Sequence, residues 1–205
     1  MSNKKLKIKV CGIKHQHNVD EIAGLKLDFI GNIFFEKSPR KIESIIQTPV
    51  TKVGVFVKES LATIKEKINQ HGLAVIQLHG GESNDFCKSV KELGVQVWKV
   101  LSIGDDFDFS QLSNYPDADM FLLDTKTKKY GGAGEKFDWK LLGEIDEKIP
   151  KQYFLAGGIH PEDAKTIKAL QLEKLIGLDL NSRFESSPGI KNPKQLEKFL
   201  NELRS

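Results

Sequence analysis

Eight short runs rich in Val, Ile, Leu and Phe recur along the chain, each followed by a segment of different periodicity, and this alternation leaves few folds open. The runs cover 7–13, 29–35, 52–58, 74–80, 95–103, 120–125, 153–159 and 175–180. Each is bounded by Gly, Asp, Ser or Pro and is nearly continuous in its hydrophobicity, as expected of strands buried on both faces in a parallel sheet. Between them lie helical patterns. Leu61, Ile64 and Ile68 share one face, and Phe86, Val90 and Leu93 repeat the pattern after Ser83, an N-cap residue. Near the C-terminal end, Asn192 and Pro193 open a helix whose buried stripe is Leu196, Phe199, Leu200 and Leu203. Pro161 also reads as the start of a helix, and 19–25, 41–46 and 139–145 as short helices. The loop at Tyr115-Pro116 makes the fifth helix the weakest.

Strand followed by helix, eight times over, is met by a closed (β/α)8 barrel or by an open doubly wound sheet, and the count favours the barrel. No linker, repeat or shift of composition divides the chain, so a single domain over 1–205 is expected. A (β/α)8, or TIM, barrel typically takes about 250 residues. Fitting one into 205 residues implies a compact barrel with short loops.

Composition narrows the partners. The 31 basic and 28 acidic side chains leave a net charge of +3 with no basic block interleaved with aromatics, which speaks against nucleic acid. No run approaches the roughly 18 apolar residues of a membrane span. Two cysteines make no disulfide framework, so a cytoplasmic protein with reduced thiols is expected.

Barrels of this class carry their chemistry at the C-terminal ends of the strands. Reading those ends in order gives Cys11, then Arg40 in Ser38-Pro39-Arg40, Gln77 and His79, Asp124, Gly157-Gly158 and Asp179. Gly132 and Gly134 in the run 131–134, together with Gly157, Gly158, Ser182 and Arg183, form polar or glycine-rich loops after the last three strands. Such loops let backbone N–H groups approach an anion, and those after strands seven and eight are the usual phosphate site. A phosphorylated small molecule is therefore the expected substrate.

These motifs together resemble the phosphoribosylanthranilate isomerase family of tryptophan biosynthesis. The resemblance rests on Lys9-Val10-Cys11-Gly12-Ile13, Ser38-Pro39-Arg40, Val53-Gly54-Val55-Phe56-Val57, Gln77-Leu78-His79-Gly80, Leu123-Asp124-Thr125, Gly131-Gly132-Ala133-Gly134, Leu155-Ala156-Gly157-Gly158-Ile159 and Pro188-Gly189-Ile190-Lys191, in order over nearly the whole chain. It implies an Amadori rearrangement of N-(5-phospho-β-D-ribosyl)anthranilate, without metal or organic cofactor; the sequence leaves a monomer and a homodimer both open. It further implies Cys11 as general base, Asp124 as general acid, Arg40 on the anthranilate carboxylate, Asp179 near the sugar, and Gln77 and His79 lining the pocket or serving as structural hydrogen-bonding groups. The other cysteine, Cys87, falls on the apolar face of its helix and reads as a small hydrophobe.

Three positions depart from the family pattern. Asn32 interrupts the second strand, where it would line the pocket or weaken the fold. Arg183 stands where a glycine is usual, implying either backbone strain or an added phosphate contact. Ala133 replaces a hydroxyl-bearing residue. They leave two competitors in view: another phosphosugar-processing barrel enzyme, and a catalytically silent barrel that binds a phosphorylated ligand.

Overall fold

The computed structural model describes residues 5–104, 107–125 and 139–205. Eight strands, β1 (Lys7–Cys11), β2 (Phe29–Ile33), β3 (Thr51–Phe56), β4 (Val75–Leu78), β5 (Gln96–Ile103), β6 (Met120–Thr125), β7 (Tyr153–Leu155) and β8 (Leu175–Leu180), pair in parallel in sequence order. The last returns to the first, with Lys9 opposite Asp179, so the sheet closes into the expected barrel. Because side chains alternate along a strand, each strand feeds two cores. Ile8, Val10 and Ile30 face outward into a layer shared with Leu196, Phe199 and Leu200 of the C-terminal helix. Val53, Val75, Trp98, Val100, Leu122 and Phe154 fill the barrel interior, and the rings of Phe29, Trp98 and Phe154 pack on one another there.

The helices are α1 (Gln16–Ile22), α2 (Leu61–His71), α3 (Asn84–Lys91), α4 (Lys140–Ile145), α5 (Ala164–Ala169) and α6 (Pro193–Arg204). Their starts follow capping chemistry. Ser83 Oγ accepts from Phe86 N at 3.3 Å, and Asn192 Oδ1 accepts from Gln195 N at 3.2 Å with Pro193 in the first turn. Ser60 caps α2 in the same way, accepting from Thr63 N. Cys87 lies fully buried on the inner face of α3, where burial pushes its thiol up to about 11.

Several local expectations are corrected. No helix forms over 41–46: Ile42 N donates to Ile33 O at 2.9 Å, and Ile42 and Ile46 are buried while the intervening Ile45 stays exposed. Three isoleucines in a segment this short, stiff at χ1, favour extended chain over a helical turn. Pro161 does not open α5, because His160 and Asp163 first close a turn in which Asp163 Oδ2 accepts from His160 N at 2.6 Å. The segment before β6 forms a single 3-10 helix, Phe109–Asn114, capped by Asp108. The helix expected over 19–25 starts earlier and ends as the 3-10 turn Ala23–Leu25.

Asn32 is placed by register opposite Gly54, between Gly31 and Ile33 of β2. Ile33 packs with Cys11 on the inner face, so Asn32 faces outward and does not line the pocket. It is fully buried, and neither atom of its amide finds a hydrogen-bond partner among the described residues. Of the two expectations, the cost to the fold is the one that applies.

Candidate active site

Parallel register brings the strand ends to one mouth. Cys11 ends β1, Gln77 and Asp124 stand one residue before the ends of β4 and β6, and Asp179 stands one before the end of β8. Cys11 is nearly fully buried between two unlike surroundings. On one side it packs with Ile33 and Val55. On the other stands a chain of buried charges, of which only Asp179 and Arg40 were expected at the site from the sequence.

Lys9, two residues back on the same face of β1, donates to Asp179 Oδ2 at 2.7 Å, and its side chain is wholly inaccessible. Beyond β8 the chain makes one 3-10 turn, Ser182–Phe184, and then a hairpin of β9 (Glu185–Ser187) and β10 (Ile190–Lys191). This hairpin carries Glu185 and Lys191 back over the barrel. Lys191 Nζ donates to Asn181 Oδ1 at 2.9 Å and to Glu185 Oε1 at 2.6 Å. Glu185 in turn receives Arg40 through Nε at 3.0 and 2.9 Å and through Nη2 at 2.8 Å. The guanidinium expected to be open for a substrate carboxylate is thus fixed along one edge by Glu185. Burial works against the Glu185 carboxylate, but Arg40 and Lys191 outweigh it and hold its pKa below the ordinary glutamate value.

The same charges act on the thiol. Burial pushes Cys11 up, Lys9 pulls it down by charge and by a side-chain hydrogen bond, Asp179 pushes it up and Lys191 pulls it down; the net direction is up. Burial also opposes the charge on Lys9, yet Asp179 and Cys11 overcome it and hold its pKa above the usual lysine value. Asp179 Oδ1 is buried with no hydrogen-bond partner among the described residues, and so is Gln77 Oε1. Both are acceptors able to receive substrate hydroxyls or amines.

Across the mouth, Asp124 Oδ2 lies 3.4 Å from His79 Nε2. His79 stands just past the end of β4 rather than on it, with its N–H donating to Phe56 O. Gly157 and Gly158 follow β7 with consecutive positive φ values of 76° and 65°. At Gly157 a Cβ would stand 2.3 Å from Thr125 N and 2.4 Å from Asp124 Oδ1, so only glycine lets this loop pass behind the carboxylate. Gly31 has a matching role on the other side, where a Cβ would lie 2.6 Å from Cys11 Sγ. Arg183 is exposed in the 3-10 turn with an ordinary negative φ, which removes the expected strain. Ser182 opens that turn. Gly132, Gly134 and Ala133 lie outside the described residues.

The description "N-(5'phosphoribosyl)anthranilate (PRA) isomerase" belongs to the family whose model matches residues 8–202. The chain belongs to this family. An N-(5'-phosphoribosyl)anthranilate isomerase from Parabacteroides distasonis is 36% identical, over 96% of this chain and 92% of the relative. One from Phocaeicola vulgatus is 35% identical over 96% and 97%. Among solved structures, the phosphoribosyl anthranilate isomerase from Thermotoga maritima superposes with a TM-score of 0.86 at 29% identity, covering 98% of this chain and 99% of that one. Another phosphoribosyl anthranilate isomerase, in complex with reduced 1-(o-carboxyphenylamino)-1-deoxyribulose 5-phosphate, gives 0.83 at 26% identity over 98% and 99%. The barrel and the phosphoribosylanthranilate isomerase family expected from the motifs both hold.

Lys9, Lys191, Glu185 and Asn181 are the site residues that sequence reasoning left without a role. One signal was available: Lys9 is a charge inside an otherwise apolar strand, in phase with Cys11. Nothing local in the sequence announces that the hairpin after β8 folds back over the mouth.

Proposed function

We propose that this chain isomerises N-(5-phospho-β-D-ribosyl)anthranilate to 1-(2-carboxyphenylamino)-1-deoxy-D-ribulose 5-phosphate, with Asp124 as acid and Cys11 as base. The observation that carries the assignment of roles is the placing of Cys11 and Asp124 at one barrel mouth, with Asp179 acting electrostatically with both. Asp124 gives its proton to the furanose ring oxygen. The C1–O bond breaks and the nitrogen lone pair forms a protonated imine at C1. Cys11 then takes the proton from C2; the C2–H electron pair becomes the C1–C2 double bond and the iminium nitrogen is neutralised. The enolamine takes up a proton at C1 and releases one from the 2-hydroxyl, which yields the ketose. The imine nitrogen is the electron sink, so Asp124 and Cys11 suffice for the ring opening and the C2 proton abstraction, and the last proton exchange is a tautomerisation of the enolamine.

Arg40, oriented by Glu185, takes the anthranilate carboxylate with the nitrogen not used in that pair. The loops at Gly157-Gly158 and Ser182-Arg183 take the phosphate, with Gly132 and Gly134 as the remaining expected contributors. Asp179 Oδ1 and Gln77 Oε1 receive the sugar and amine groups. This distribution suits a ligand with one anion at each end and a polar, proton-rich middle.

The test is to form the substrate in situ from anthranilate and phosphoribosyl pyrophosphate with the upstream transferase, and to follow loss of its fluorescence. Addition of this protein accelerates the decay; a rate equal to the spontaneous background refutes the reading. Cys11→Ala and Asp124→Asn each lower kcat by about 10²- to 10⁴-fold, while Arg40→Ala raises KM with a smaller change in kcat.

A further inference from the structure

A lysine inside a barrel is a poor choice for stability. Desolvating its ammonium costs several kcal/mol, and a buried ion pair is often matched or bettered by apolar residues of similar size. Lys9 is nevertheless fully buried, on the inner face of β1, clamped at 2.7 Å by an aspartate that is itself buried. Its position in the strand is what gives it work to do. Lys9 and Cys11 are two residues apart on one strand face, and the charge of the Lys9 ammonium acts on the thiol.

We propose that Lys9 is a positioning residue for the proton abstraction: held by Asp179 on the strand face it shares with Cys11, its ammonium favours the thiolate against the burial that opposes it. This rests on the isomerase reading for the purpose of the base, but the effect on the thiol is measurable without turnover. Burial among Ile33 and Val55 would leave Cys11 an inert thiol, as burial does for Cys87. What separates the two cysteines is how the cation is placed: Lys99 acts on Cys87 by charge from another element, whereas Lys9 shares a strand face with Cys11.

Among the described residues, the charges that act on Cys11 come from three elements. Lys9 comes from β1, Asp179 from β8 and Lys191 from β10. Asp124 on β6 acts through Asp179, and Arg40 with Glu185 acts through Lys191. Lys191 is a weaker candidate for the same role, because its ammonium is already donated to Asn181 and Glu185 within the hairpin region. Asp179 has the opposite sign and serves two ends: it fixes Lys9 while limiting how far the thiolate is favoured.

The experiment titrates Cys11 in the full chain by the pH dependence of iodoacetamide labelling, read by mass spectrometry, with Cys87 as the buried reference in the same molecule. Lys9→Met moves the labelling midpoint up by about 1 to 3 pH units. Lys9→Arg returns it toward the wild-type value. Asp179→Asn moves it down, the reverse of what general loosening of the site would do. The rising limb of the kcat profile follows the labelling midpoint in each variant, with KM changed less. An unmoved midpoint in Lys9→Met, with kcat lowered, overturns the proposal and makes Lys9 a packing residue. Should Lys9→Met fail to fold, Asp179→Asn still decides: a midpoint that stays or rises refutes the electrostatic role. Absence of turnover in the wild type would refute the isomerase reading alone, since the labelling shifts do not depend on substrate.

Discussion

Replacing Asn32 with leucine tests the register and the burial together. The amide sits at full burial on the outer face of β2, both of its polar atoms lack partners, and its neighbour in register, Gly54, lies against Leu73 and Phe56. Leucine has nearly the same branched shape, so the swap exchanges two unsatisfied groups for two methyls without enlarging the side chain. An unsatisfied buried polar group costs about 1 to 3 kcal/mol. A central gain of about 2 kcal/mol in a chain of this length corresponds to a rise in Tm of about 4 to 8 °C. Scanning calorimetry reads the shift directly, and urea unfolding gives a higher midpoint with an unchanged slope if both states keep their surface areas. Turnover stays within about twofold of wild type, because the side chain points away from the mouth. An unchanged or lowered Tm would refute the reasoning, since it would mean the amide is hydrogen-bonded in solution and is a contributor rather than a defect.

Two further perturbations probe the mouth. Gly157→Ala forces a Cβ against Thr125 N and Asp124 Oδ1 at a residue with φ of 76°, and is expected to lower kcat by about 10²-fold through displacement of the acid, while the circular dichroism spectrum is kept; near-normal turnover would show that the loop gives way. Glu185→Gln breaks a buried ion-pair chain and costs about 3 to 5 kcal/mol at neutral pH. Because Arg40 and Lys191 hold the Glu185 pKa below its ordinary 4.5, its contribution is complete above that value and lost as pH falls through the lower folded value. Wild-type stability therefore drops in that acid window and the variant's drops less; parallel curves would remove Glu185 from the account.

Where the sequence was legible, a local physical rule was at work. The eight strands could be read because strands buried on both faces leave apolar runs, and the starts of α3 and α6 because Ser83 and Asn192 satisfy orphaned N–H groups. Cys11, Asp124 and Asp179 could be placed at the mouth because barrel geometry turns strand ends into neighbours. The misses have equally physical causes. The segment 41–46 has helix-like spacing, but its residues pair with the end of β2 instead, and Pro161 yields to a turn closed by Asp163. Arg40 was readable as an anion-binding residue but not as a partner of Glu185, because that contact spans 145 positions and depends on where a hairpin folds. Lys9 opens the motif that ends at Ile13, but its role depends on Asp179, its partner on the last strand.

That partner arrives late. Lys9 and Asp179 are 170 residues apart, so on the ribosome, at about 5 to 20 residues per second, Lys9 waits about 9 to 34 s for its counter-charge to be synthesised. Lys191 and Glu185 follow later still. Until then β1 has no neighbour on one side, and its ammonium has every reason to remain in water. The charges that condition the thiol also join the first strand to the last, so the nascent chain acquires its base environment in the same event that shuts the barrel. A translation intermediate that stops before β8 therefore holds Cys11 without Asp179 and Lys191, two of the charges that act on it in the closed barrel.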